Sequence, residues 1–406
     1  MTTAFIVSFV GLAGLTAARL QLRSAADGFD RRQAGLLAAA AIEHAVAALH
    51  YNADWRTAYA FGVEYPSPPV AANGGTFTWR LIDLGSARRR LDGIGRVGAA
   101  QVIQSVELGP AASPFLTCAL LCDGELRLDG LTEVLTASGA PACTNNRVRN
   151  DGVIVADVEA QSSSGSGIYL GTQTIPATVR PLPAPEGVLD YYLRRGTMLD
   201  EALFADGSGG LSIRNVVLSP AANPFGPVNP EGIYIVNCAG KSLRISHSRI
   251  VGTLVVLDPR PDRGAQIVDE INWEPACPHY PALLVRGSLR LKMTTMPLSE
   301  LTLGVNFNPP GTPWKRQTDS QLDDQYPSAI AGIVYATGDV VCDGSHVDAT
   351  TAMQGVLIAD GMIRLTDSAH LTMTYDPVPA GSPPPGFDSV APNAILPGTW
   401  RRTASE

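Results

Sequence analysis

The chain has 406 residues, beyond the usual range of one domain, so two or three domains with sizeable cores are expected. Apolar residues make up 45% and charged residues 17%, which excludes a disordered chain, and 40 Gly with 31 Pro supply the turns that many short strands require. The net charge of −8 carries no acidic block, and no basic stripe interleaved with aromatics occurs, so nucleic acid is not an expected partner.

From Ala4 to Ala18 there is no charged side chain, and Arg19 is the first. As a helix, Met1 to Leu22 would extend roughly 33 Å, enough to cross a hydrocarbon core of about 30 Å. Phe5, Ile6, Val7, Phe9, Val10, Leu12, Leu15, Leu20 and Leu22 are therefore the candidate membrane anchor. A cleaved signal peptide would need a basic start and a small-residue cleavage site before a turn-rich segment. Here the helical pattern runs on instead. Asp27 and Arg31 make an i, i+4 pair, and Ala34, Leu37, Ala41, Ala45 and Ala48 share one narrow face suited to packing against the chain's own body or neighbouring helices. One helix over residues 3–58 is predicted.

Pro66, Pro68 and Pro69 end the helical region. Residues 75–84 alternate, with Phe77, Trp79 and Leu81 on one face, and predict a half-buried strand. Residues 98–108 predict a second, with Val102, Val106 and Leu108 on one face. Arg88, Arg89, Arg90, Asp92 and Gly93 read as the turn between them. A helix laid on a small antiparallel sheet is expected to about residue 112.

Beyond it a loose repeat recurs, a short apolar strand, a Gly-centred turn, then another strand: LLCDGELRLDG (120–130), NDGVIVADVEA (150–160), residues 232–257, ALLVRGSLRLKM (282–293), GIVYATGDVVCDG (332–344) and residues 355–376. Such strands cannot bury a face alone, and stacking them as rungs of a parallel β-helix gives each a neighbour above and below. A β-sandwich is the alternative. The predicted fold class is thus mainly β: a long N-terminal α-helix (1–62), a small sheet (63–112), first β-helical rungs (113–185), a main β-helix-like domain (186–387) and a C-terminal tail (388–406). Pro383 to Phe387 reads as a stiff strap whose Phe387 caps the core.

The segments QAGLLAAAAIEHAVAALHYNADW (33–55), GRVGAAQVIQSVEL (95–108), GVLDYYLRRGT (187–197), GVNFNPPGTPW (304–314), YPSAIAGIVYATGDV (326–340) and TYDPVPAGSPPPGF (374–387) resemble the PilX-like group of type IV pilin-like proteins. The resemblance implies a structural or assembly role in a bacterial cell envelope rather than an enzyme. It also implies a first helix embedded in the inner membrane and a body on the periplasmic or extracellular side. Membrane lipid and pilin-like or envelope proteins would be its partners. That group's short basic leader with its glycine, and the glutamate five residues into the mature chain, are absent, so a truncated or differently processed start is expected.

Candidate chemistry is sparse. His44, His50, His247, His279, His346 and His370 never fall into metal-binding spacings, and no cofactor phrase or small-molecule substrate site is read, so metal and cofactor are both expected to be none. Asp319, Asp323 and Asp324 lack the Gly and Glu of a calcium loop and read as a solvated surface. Asp258, Asp262 and Asp269 read as exposed ion pairs with Arg260 and Arg263. The alternative function, an envelope-tethered β-helix acting on or binding carbohydrate, would need facing carboxylates such as Asp339 with Asp343 or Asp360 with Asp367. Cys118, Cys122, Cys143, Cys238, Cys277 and Cys342 are candidate disulfide partners or buried thiols. Cys118 and Cys122, roughly 13 Å apart on one strand, cannot pair with each other.

Overall fold

The computed structural model describes residues 2–404 except 53–54, 86–87, 110–112, 138, 279, 347, 382 and 388–393, with helix side chains described from Leu15 onward. The chain forms two compact units, Met1–Ala111 with Val390–Glu406, and Ala112–Ser389.

In the first unit, helix α1 runs unbroken over Thr2–Tyr51. It ends before Asn52, a residue that favours turns over helix interiors; the Asn52 carbonyl accepts the Trp55 N–H at 3.2 Å, and a separate short helix, Trp55–Ala58, follows. The expected single helix to residue 58 is therefore two. Strands β1 (Glu64–Ala72), β2 (Gly75–Gly85), β3 (Arg88–Val97) and β4 (Ala100–Gly109) form an antiparallel meander. The strands Ala394–Ile395 and Arg401–Ala404, from the expected tail, pair beyond β4. Pro66, Pro68 and Pro69 lie within β1, which tolerates them because it is an edge strand.

Strand β3 corrects the sequence reading: its Arg/Asp/Gly stretch is a central strand, not a turn. Leu91 and Val97 are buried in the core against α1. Between them Gly93 and Gly95 let the helix backbone come within contact: a Cβ on Gly95 would lie 2.0 Å from the Ala34 carbonyl oxygen, and one on Gly93 2.2 Å from that of Ala38. Ala34, Leu37, Ala38, Ala41, Ile42, Ala45 and Leu49 are buried on the facing side of α1. The opposite sheet face carries Arg80, Asp92, Ser105 and Arg401 as register neighbours across four strands. The buried Asp92 carboxylate accepts from Arg80 Nε at 3.0 Å, Arg90 Nε at 2.9 Å and Ser105 Oγ at 2.8 Å, so its charge is compensated.

The second unit is a three-faced solenoid of parallel strands. One face begins with Thr197–Met198, Ile233–Asn237, Thr253–Leu257 and Leu283–Arg286, continues through residues 333–336 and 357–359, and ends with Leu120–Cys122, Ala142–Thr144, Val158–Glu159 and Gln173–Thr174. The chain thus enters the stack in its middle. Residues 120–174 build one end, residues 197–374 build the other, and the two join where Leu120–Cys122 pairs with Leu357–Ala359, Leu126–Leu128 with Ile363–Leu365 and Glu133–Thr136 with His370–Met373. The segments anticipated as separate regions at 113–185 and 186–387 share one continuous sheet.

Alternate side chains fill the solenoid interior. On the first face the outward ones are buried too: Leu121, Ile235, Val255, Leu284, Tyr335 and Ile358 are covered by Val188, Leu189 and Tyr192 of the helix Pro185–Arg195, by Phe115 and Leu116, and by Phe387. Burial on both sides explains why strands such as TLVVL are apolar throughout rather than alternating. A second corner is turned by Asn215, His247 and Asp269, whose φ values of 54, 48 and 63° lie in the left-handed region at successive breaks between strand segments.

The Gly95 contact yields a direct test. Gly95→Ala should destabilise the first unit by about 3 kcal/mol, since the added methyl meets backbone that cannot give way. Gly28→Ala, on an exposed helix turn with nothing near its Cβ, should stabilise it by about 0.5–1 kcal/mol. Urea unfolding of the full chain reads both.

Candidate functional site

Two features stand apart from structural packing. The first is the exposed half of α1. Among the described residues one helical stretch, Leu15–Tyr51, is long and apolar enough to cross a membrane. From Ala34 onward, however, its apolar face is core of its own unit. Only the residues before Ala34 would be free to enter a membrane. Leu15, Leu20 and Leu22 are 62, 62 and 72% exposed. Phe5, Ile6, Val7, Phe9, Val10 and Leu12 lie on the same helix, their side chains outside those described. Of the small-residue face, Ala34, Leu37, Ala41 and Ala45 are buried against the chain's own sheet and Ala48 is half-buried.

The second is an arm inserted into the solenoid between Met293 and Ala329. Its organiser is Arg249, fully buried on the strand Leu243–Val251. The guanidinium donates to the carbonyls of Phe307 (2.8 Å), Thr312 (3.1 Å) and Pro313 (2.8 Å) and to Glu274 (3.2 Å). It also stacks 5.3 Å from the rings of both Trp314 and Tyr326. Glu300, equally buried, accepts from the Phe307 N–H at 2.6 Å, the Tyr326 hydroxyl at 2.8 Å and the Asp324 N–H at 3.2 Å. Two buried charges thus bind the arm through its own backbone. Sequence reading missed both, because their partners are mostly backbone groups, carbonyls accepting from Arg249 and amide N–H groups donating to Glu300, which carry no side-chain signal.

The arm walls a cleft of about 260 Å³ lined by His247, Glu270, Met296, Pro297, Ser299, Thr302, Leu303 and Gln325. His247 Nδ1 lies 2.6 Å from Glu270 and Nε2 3.4 Å from Asp269, which also pairs with Arg244 at 3.0 Å. The imidazole is therefore bracketed by two carboxylates at the strained corner. Such a site offers hydrogen bonds to a small polar ligand, but both ring nitrogens already face protein acceptors.

The other candidates disperse. Asp339 accepts the Met362 N–H at 2.9 Å, and Asp343 pairs with Arg290 at 2.9 Å. Asp360 accepts the Tyr335 hydroxyl at 2.7 Å, its carboxyl raised by burial, and Asp367 is a left-handed turn residue. Asp262 pairs with Arg260 and Asp258 with Arg286. Asp319 and Asp324 hydrogen-bond within the arm. His370 lies 3.4 Å from Glu133, and His279 falls outside the described residues. Among the described residues no group of three metal-ligating side chains converges. Trp273 is buried, Trp314 stacks on Arg249 and Trp400 is half exposed. No sulfur is bonded to another in this structure, and five of the six cysteines are buried; burial raises the thiols of Cys122, Cys238 and Cys342 to about 12.

The fold defines a class, an extended apolar-helix-and-sheet unit joined in sequence to a parallel β-helix. No protein-family model matches the chain, and no curated protein matches it. Among solved structures it is similar to the competence-associated pilin ComZ from Thermus thermophilus, at 12% identity and a TM-score of 0.39 over 93% of this chain and 98% of that one. The likeness is loose, and no functional argument follows from it.

Replacing Arg249 by Met would leave three backbone carbonyls without their donor. The arm should lose about 3 kcal/mol of local stability, roughly a hundredfold gain in its open population. Trypsin cleavage after Lys315 and Arg316, followed by mass spectrometry, should accelerate accordingly while the rest of the solenoid resists.

Proposed function

We propose that the chain is a membrane-anchored, pilin-like structural or assembly component of a bacterial envelope, with the start of α1 in the inner membrane and the β body outside the cytoplasm. One observation carries this reading: α1 is continuous over Thr2–Tyr51, yet only its second half is built into a core. The first half has no charge from Ala4 to Ala18, and lipid is the environment in which such a surface is stable. The resemblance of several segments to PilX-like proteins supports the same role.

Partner helices would meet a seam other than the alanine face. Leu15, Leu22, Phe29 and Leu36 recur every seven residues and are 62, 72, 67 and 70% exposed. A seven-residue apolar spacing suits packing along a neighbouring helix.

The full-length chain should pellet with membranes, resist extraction by salt or alkaline carbonate, and be released by detergent. Val10→Arg together with Leu15→Arg should move most of it to the soluble fraction, each arginine costing about 2.5–3.5 kcal/mol near the middle of a span. Wild-type protein that stays soluble without detergent would sink the proposal.

A further inference from the structure

We propose that Cys118 and Cys143 form a disulfide in the native protein, tying the segment by which the chain enters the solenoid to the next rung. Both side chains are buried in the outer layer between the first solenoid face and its helical cover, beside Phe115, Leu121 and Tyr192. The Pro141 carbonyl joins the two segments: it accepts the Ala119 N–H, next to Cys118, at 3.0 Å and lies 3.9 Å from Cys143 Sγ. The strands Leu120–Cys122 and Ala142–Thr144 are parallel neighbours with Leu121 opposite Cys143, and Cys118 lies in the bend just before the first of them, in the same outer layer.

One residue fixes the two segments against each other. The Arg180 backbone N–H donates to the Asn145 side chain at 2.8 Å and its carbonyl accepts from Asn145 Nδ2 at 2.8 Å, two residues past Cys143. Its guanidinium donates to the Pro114 carbonyl at 2.9 Å and to Thr117 Oγ1 at 2.7 Å, the residue before Cys118. Glu159, 2.7 Å away, balances its charge. The sulfurs are thus held by a network that neither belongs to.

The remaining four cysteines differ. Cys122, Cys238 and Cys342 point into the solenoid interior, and Cys277 is half-buried with its sulfur 3.7 Å from the Glu231 carbonyl. Cys122, four residues beyond Cys118, is separated from it by the sheet.

The bond would form by exchange with an external disulfide. One thiol, losing its proton, attacks that disulfide and expels one thiol from it. The second thiol, also deprotonated, attacks the resulting mixed disulfide and expels the other. Two cysteine thiols are oxidised and one external disulfide is reduced to two thiols. The pair then closes a loop spanning two rungs, which restricts the unfolded chain.

Peptide mapping decides it. The full chain, in detergent and equilibrated with a mixture of oxidised and reduced glutathione, is denatured without reductant, alkylated and digested. A Cys118–Cys143 cross-linked peptide with the other four cysteines alkylated is expected. Alkylation of both Cys118 and Cys143, or a link from either to another cysteine, would overturn the proposal. In addition, reductant should lower the urea midpoint of the wild type but leave that of a Cys118→Ser, Cys143→Ser double variant unmoved; an unmoved wild type would overturn the tie between rungs. The assay is performed away from any membrane, so its failure and a failure of anchoring are separate results.

Discussion

The close approach of the α1 backbone to β3 decides what the rest of the helix is free to do. Alanines on one side and Gly93 and Gly95 on the other let helix and sheet meet without intervening side chains, so the core begins sharply at Ala34. A larger residue at either glycine would lift the helix off the sheet and expose Leu37, Ile42, Leu49 and Trp79, each worth roughly 1.5–3 kcal/mol when buried. Because α1 has no break before that clamp, the direction of its first half is set by the sheet that holds its second half.

The second unit obeys a constraint of a different kind. It is inserted in sequence between β4 and the strands at 394–404, so the chain must leave it near where it came in. A solenoid threaded from one end to the other would separate those points by nearly the whole stack, at about 4.8 Å per rung. Threading from the middle removes the problem. Ser113 Oγ donates to the Phe387 carbonyl at 2.8 Å, so the first and last described stretches of the unit are in direct contact. The permuted rung order is thus the geometric condition for inserting a solenoid into another fold. The strap that ends in Phe387 is part of the same solution, its ring buried against Phe115 and Tyr335.

Much of this could be read from residue order, and the omissions have physical causes. The helix, the alternation in β2 and the β-helical phrases are local patterns, and local patterns survive without coordinates. β3 did not, because Gly and Arg were weighed as turn residues; in a strand lying under a helix, glycine is the residue that permits contact. Rung order was invisible because each phrase is compatible with any neighbour of the same length. Arg249 and Glu300 gave no signal, since a buried charge satisfied by backbone groups more than fifty residues away in the first case has no sequence spacing to find. The cysteines were countable but could not be paired, because pairing depends on which sheet face each sulfur occupies.

The charge pattern along α1 follows from the same division. Arg19 and Arg23 come after the uncharged stretch, and Asp27, Asp30, Arg31 and Arg32 occupy the turns before the core begins. All but Asp30 of these six are exposed, so this middle part meets neither its own sheet nor a purely apolar surrounding. Arginine can lay its apolar stem along lipid while its guanidinium reaches the headgroups, so in the proposed arrangement the water boundary would fall near Arg19 to Arg23. From there to Ala34 is roughly 16–22 Å of helix at 1.5 Å per residue, a charged spacer between the proposed bilayer and the first packed turn. Leu22, Phe29 and Leu36 continue an exposed apolar seam through that spacer, and under the proposed arrangement it is the part of the seam that lipid would not cover.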